Sequence, residues 1–147
     1  MFNLLRIADG SLPFLSVVLL TLVSLLISLI LVFAWLFRVK GYRLDRSMLT
    51  ISRTVGNCKI ALEDIEAVSI PTTESMRWTM RTFGNGGIFG FTGRYYNSTH
   101  GSMRYYATRL GNYVMLHMRD GSRIVITPDD LWLADEICKM SGLPRMT

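Results

Sequence analysis

The sequence predicts a mainly β protein: one membrane-spanning helix, then a strongly bent antiparallel β-barrel of about seven short strands, closed by a C-terminal amphipathic α-helix. Three observations carry this expectation. No charged residue occurs from Gly10 to Phe37. From Tyr42 to Ile126, apolar and polar residues alternate between turn-forming pairs, the pattern of half-buried strands. After Ile126 the apolar spacing becomes helical.

The chain has 147 residues, 50% of them hydrophobic, and a formal net charge of +5. That length holds one globular domain beside one membrane span. It excludes a multi-domain enzyme, and a polytopic transporter is excluded because only one stretch is apolar enough to span.

The first element is Leu12–Phe37, which at 1.5 Å per residue gives a helix of about 39 Å, enough to cross a hydrocarbon core of about 30 Å. Its polar residues, Ser16, Thr21, Ser24 and Ser28, can bond back to their own helix. Pro13 falls near the start, where a helix tolerates it, and Trp35 near the far end, where an interfacial indole is favoured. The apolar run is long for a cleaved signal peptide, its leading charge is only Arg6, and the bulky AWLFRVKG that follows has no small-residue cleavage site. The expectation is an uncleaved anchor. Arg38, Lys40, Arg43, Arg46 and Arg53 follow it closely, so the positive-inside rule puts the C-terminal domain in the cytoplasm and Met1 outside. The divisions are then a short outer segment over 1–11, the span over 12–37, a basic hinge over 38–41 and the domain over 42–147. Ser24 and Ser28 stand four apart, a spacing that lets helices approach closely, so self-association through that pair is one expectation. Cys58 and Cys138 are read as core thiols in a reducing compartment.

The domain's strands follow in order. Tyr42 and Leu44 begin one that stops at Asp45-Arg46-Ser47. Met48–Arg53 points Leu49 and Ile51 one way, and Gly56-Asn57 turns the chain into Cys58–Ala61. Ile65–Ile70 is stopped by Pro71. A long irregular stretch to Gly101 follows, with a short helix expected over Glu74–Arg81, capped by Thr72 or Thr73. Ser102–Thr108 resumes the alternation, and Gly111-Asn112 turns it into Tyr113–Arg119, with Val114, Leu116 and Met118 on one face. Asp120-Gly121 is a two-residue hairpin signal before Ser122–Ile126. Thr127-Pro128-Asp129-Asp130 then has the chemistry of a helix start: a capping hydroxyl, proline at the first position, and acids at the positive end of the dipole. Leu131, Ala134, Ile137 and Cys138 form the apolar face, and Gly142 and Pro144 end the helix.

This order of elements resembles a pleckstrin-homology fold. The pieces YRLDRSMLTI, KIALEDIEAV, GNGGIFGFTGRYYN and YYATRLGNYVMLHMRDGSRIVITPDD are similar to the bacterial PH-domain families of small membrane-tethered proteins. The resemblance covers about 42–140. It implies a membrane-tethered domain, here in the bacterial inner membrane, and it supplies no catalytic residue and no ligand motif.

No catalytic constellation emerges from the residues themselves. His100, His117 and the two cysteines are dispersed, without the spacing of metal ligands. Glu63, Asp64 and Glu66 sit at a turn and do not read as paired catalytic carboxylates. GNGGIFG lacks the strand-to-helix context and the Gly-Lys-Ser/Thr of a phosphate loop. The basic balance has no recognition helix or RNA-binding motif beside it, so nucleic acid is not an expected partner. The expectation is no enzyme, no cofactor and no metal.

What remains is a local surface. Arg77, Arg81, Arg94, Arg104 and Arg109 are interleaved with Trp78, Phe89, Phe91, Tyr95 and Tyr96, and no acid occurs from Ser75 to Arg119. Arginine and aromatic residues dominate interface anchors. The expectation is therefore a non-catalytic, single-pass adaptor or accessory subunit of a membrane protein assembly. The alternative is a sensor of anionic lipid headgroups, since each near-surface cation contributes about 1 kcal/mol beside an anionic leaflet. An accessory role to an enzyme complex is a remoter reading.

Overall fold

The computed structural model describes residues 11–87, 89–143 and 145–146. The expected outer segment over 1–11 lies outside these residues except for Ser11. The chain forms two compact units, Met1–Phe33 and Ala34–Thr147.

Helix α1 runs Ser11–Leu36 over 26 residues. Ser16 donates to the Pro13 carbonyl at 2.9 Å and Thr21 to the Val17 carbonyl at 2.7 Å. These bonds satisfy the hydroxyls within the helix. Its apolar side chains are uncovered all round, with Phe14 71%, Leu20 69% and Leu25 68% exposed. Ser24 and Ser28 stand one turn apart among them. Pro13–Leu36 is long and apolar enough to cross a membrane, a test that a signal sequence also meets.

The second unit opens with three antiparallel strands, β1 (Val39–Leu44), β2 (Met48–Arg53) and β3 (Cys58–Ala61). Leu44, Leu49 and Ile60 stand in register across them, as do Tyr42, Ile51 and Cys58, so alternate residues build one apolar face. The stretch 38–41 does not remain a hinge: Val39 starts β1 and is buried. A 3-10 turn, Leu62–Asp64, leads to β4 (Ile65–Ser69). The remaining strands are β5 (Met80–Gly86), β6 (Phe91–Asn97), β7 (Gly101–Ala107), β8 (Val114–Met118), β9 (Arg123–Ile126) and the two-residue β10 (Arg145–Met146), with α2 (Trp132–Ser141) before the last. With β4 they form one seven-stranded sheet in the order β10-β4-β8-β9-β7-β6-β5.

The domain is mainly β with a C-terminal helix, as the sequence predicts, but the strands form two sheets rather than a closed barrel. The expected irregular stretch over 71–101 contains β5 and β6. Alternation failed to reveal them because Gly84, Gly86 and Gly93 occupy positions where an apolar side chain would mark the period. Capped turns over 73–78 replace the expected short helix. Thr72 Oγ1 accepts from the Ser75 N–H at 3.2 Å there. Gly111-Asn112 does not fold β7 back on β8. Instead β7 runs parallel to β9, pairing Arg104–Tyr106 with Ile124–Ile126.

Val114, Leu116 and Met118 share the main core with Ile51, Val68, Ile124 and Ile126. Ala134, Ile137 and Cys138 of α2 pack there too, and Cys58 packs against the same cluster. The helix begins later than the threonine-proline signal implies, with Leu131 as its N-cap residue. The buried Thr127 hydroxyl is already engaged, accepting from the Thr108 N–H at 3.0 Å. Gly142 ends α2 with φ of +66°, a left-handed conformation suited to glycine.

Tyr42 ties the two sheets together. Its hydroxyl donates to the Tyr106 carbonyl and accepts from the Thr127 N–H at 3.1 Å. Burial raises its pKa, opposed by its hydrogen bonds with Thr127 and Thr108.

Candidate interaction surface

Beyond β9 the sheet continues as a three-stranded wing, β7-β6-β5. Residues opposite one another in antiparallel strands share a face. The register therefore builds three rows on one side of the wing: Met80 with Tyr96 and Ser102, Phe83 with Arg94 and Arg104, and Asn85 with Thr92 and Tyr106. The first two rows are largely uncovered, with Phe83 77%, Met80 71% and Tyr96 51% exposed. Arg94 and Arg104 face each other directly, and both are exposed. Like charges directly opposite are destabilising. Arg109 pairs with Asp129 at 2.8 Å, away from this pair, whereas Asp120, its carboxyl held below the usual range chiefly by hydrogen bonds with Ser122, is also attracted by Arg104. At the base of the face, the Arg53 guanidinium lies 5.9 Å from the Tyr106 ring centre.

The opposite side is different. Met76, Tyr95, Met103, Tyr105, Tyr113, Met115 and Val125 form a second buried cluster. The Tyr95 and Tyr105 rings are 4.3 Å apart and tilted by 35°. Tyr95 donates to the Asn85 carbonyl at 2.9 Å. Burial raises its pKa, with Arg81 opposing. Burial pushes Tyr105 up to about 12, against a hydrogen bond with Thr79.

Asn97, 1% exposed, holds the capped turns onto this side. Its amide donates to the Ser75 carbonyl at 3.0 Å and Thr79 Oγ1 at 2.9 Å, and its oxygen accepts from the Thr99 N–H at 2.7 Å. Between these turns and the tyrosines lies a groove of about 730 Å³, lined by Glu74, Arg77, Phe91, Tyr95, Tyr105, Leu110 and Tyr113 among others. Arg77 lies 5.8 Å from the ring centre of Trp78, which is 77% exposed.

The expected surface residues are thus divided by the pleat. Arg94, Tyr96 and Arg104 share the open face. Arg81 and Phe91 belong to the tyrosine side, being paired with Tyr95 and Gly86. Tyr95 is only 6% exposed, packs in the second core and lines the groove rather than the open face. Phe89 lies beyond β5, in the turn before β6, with φ of +62°. Arg109 is held at α2's approach, 2.8 Å from Asp129 Oδ1 and 3.1 Å from the Pro128 carbonyl. The expected surface left out Met80 and Phe83, which the register puts on the open face. Their signal was a strand period interrupted by glycine and by an irregularity between Arg81 and Phe83.

Among the described residues, no three His, Cys, Asp or Glu side chains come together as a metal site. His117 shares a hydrogen bond of 2.9 Å with Ser69 Oγ. Burial and then Arg123 lower its pKa.

A short meander, a larger sheet and a C-terminal helix packed into the same core are compatible with a pleckstrin-homology-like domain. The family model described as Bacterial PH domain matches residues 40–135, and the chain belongs to that family. Comparisons with curated proteins and with solved structures gave no match.

Proposed function

We propose that the chain is a membrane-anchored, non-catalytic interaction module, acting as an adaptor or accessory subunit of a membrane protein assembly. In this reading α1 is an uncleaved anchor in the bacterial inner membrane and the PH-like domain lies in the cytoplasm. The run of cations after the span supports that orientation. The observation that carries the adaptor reading is the open face of the wing. It joins a cross-strand arginine pair to exposed Met80, Phe83 and Tyr96, the residue types that anchor protein interfaces. A tethered domain meets its membrane partners at high effective concentration, so modest intrinsic affinity suffices.

The test is photocrosslinking in native membranes, with a reactive phenylalanine analogue at Trp78 or Phe83. A protein adduct of defined mass is expected, and Arg94→Glu with Arg104→Glu removes it. Adducts to phospholipid alone would replace the adaptor with the anionic-lipid sensor. No adduct from either position would overturn both.

A further inference from the structure

We infer that β5 recruits its partner by strand addition: the outer edge of Met80–Gly84 accepts an extended acidic segment of a partner protein as a further strand of the sheet. This rests on the adaptor reading and specifies how the partner is held. The topology supplies the first argument. β5 ends the seven-stranded sheet and, among the described residues, pairs with β6 alone. A strand in that position presents a row of backbone donors and acceptors on its outer side. The other end of the sheet is finished by a two-residue strand, too short to template another chain. β5 has seven residues, MRTFGNG, with no proline, lysine or acid to blunt it.

Side chains and charge choose the occupant. Met80 and Phe83 offer apolar contact beside the edge, and Arg81 offers a cation on the other side of the pleat. No acidic residue occurs between Glu74 and Asp120. A second copy of this chain would set Arg81 at the edge against the same cation, whereas a glutamate- or aspartate-bearing strand would neutralise it. The irregularity between Arg81 and Phe83 and the positive φ of +115° at Gly84 keep the flat part of the edge short. One short segment fits there, and open-ended stacking does not. Strand addition of this kind draws affinity from main-chain hydrogen bonds and specificity from alternate side chains.

The test uses the full chain in lipid nanodiscs with a short capped peptide of alternating valine and glutamate as the probe. Amide hydrogen exchange is read across residues 80–84. The peptide is expected to slow exchange there by about tenfold at saturation. The same peptide N-methylated at alternate amides, and a valine–lysine counterpart, are expected to give no protection. Phe83→Ser, at a side chain 77% exposed and so outside the fold's core, is expected to weaken the peptide several-fold. Unchanged exchange at saturating peptide, or equal protection by the methylated peptide, would overturn strand addition. So would a β5-mediated dimer of the chain that the peptide cannot dissociate. A crosslinked protein partner with no protection at 80–84 would remove the strand mechanism and leave the adaptor standing. Protection by the peptide with no partner captured in membranes would do the reverse.

Discussion

Gly84 and Gly93 show how single residues shape the wing. They oppose each other across β5 and β6, with φ of +115° and +130°. A Cβ on Gly93 would stand 2.2 Å from the Phe83 carbonyl oxygen, and one on Gly84 2.2 Å from that of Thr92. Backbone, not a flexible side chain, blocks both positions. Gly93→Val is therefore expected to cost about 2 kcal/mol or more, since strain adds to the clash. Denaturant unfolding would measure the loss. Hydrogen exchange should rise over 80–97 before the β8–β9 core opens. Tyr42→Phe tests the link between the sheets. It leaves the Tyr106 carbonyl and the Thr127 N–H without a partner they now share, with an expected loss of about 1–3 kcal/mol in urea unfolding. Tyr105 adds a pH dependence. Its folded pKa is raised from 10.0 to about 12, so the folded chain holds that proton more tightly than the unfolded one. Its contribution is complete below pH 10 and falls as pH rises toward 12. Urea midpoints followed from pH 8 to 11.5 should decline, and Tyr105→Phe should flatten part of that slope.

At the scale of elements, the sequence was most informative where side chains alternate and least where backbone geometry decides. Val114, Leu116 and Met118 were legible as one face because each carries bulk at period two, and all three reach the main core. β5 and β6 were not, because glycine carries no period. The parallel pairing of β7 with β9 was hidden for another reason: alternation fixes which side of a strand is buried but not which strand lies next to it. The start of α2 misled because Thr127, an able cap, is taken by Thr108 across the fold. The contact surface was legible as composition and not as geometry. The arginines and aromatics were visible, but the pleat decided that Tyr95 would be buried and Phe83 exposed. That pleat also gives the wing a measurable tension. Arg94 and Arg104 are cross-strand neighbours, so Arg94→Glu turns repulsion into attraction. The expected gain is about 0.5 kcal/mol in the partner-free chain, a modest figure because the pair is solvent-screened. The same change should weaken partner capture. Greater stability with less binding, read by urea unfolding and crosslinking yield in one variant, is the pattern of a surface kept cationic for a ligand. Unchanged stability with unchanged capture would assign the two arginines to solubility alone.

At the scale of the whole molecule, the two units pose different solvation problems. Ala34–Thr147 buries its apolar faces in two clusters of its own. Helix α1 buries almost none: Leu19 is 60% exposed, Leu22 58%, Ile27 52% and Ile30 56%. Each fully covered Leu or Ile side chain gains about 1.5–3 kcal/mol over exposure to water, so this helix requires hydrocarbon or protein around it. A lipid bilayer satisfies all its sides at once, whereas docking onto a globular surface would cover only one. The full chain is thus expected to sediment with membranes and resist alkaline carbonate extraction. Leu25→Arg with Leu26→Arg should release it, since each central arginine costs about 2.5–3.5 kcal/mol on insertion scales. The intact mass of membrane-purified protein separates the anchor from a cleaved signal, because cleavage would remove the helix and with it the attachment. Orientation is read by Asp120→Cys, at an exposed position in the β8–β9 turn. A membrane-impermeant thiol reagent should label it only after the cells are opened. Labelling in intact cells would put the domain outside, where Cys58 and Cys138 would meet an oxidising environment and the basic wing would face away from the anionic cytoplasmic leaflet. A domain inside would share a compartment with the cytoplasmic parts of other proteins of that membrane, and the adaptor reading requires that side.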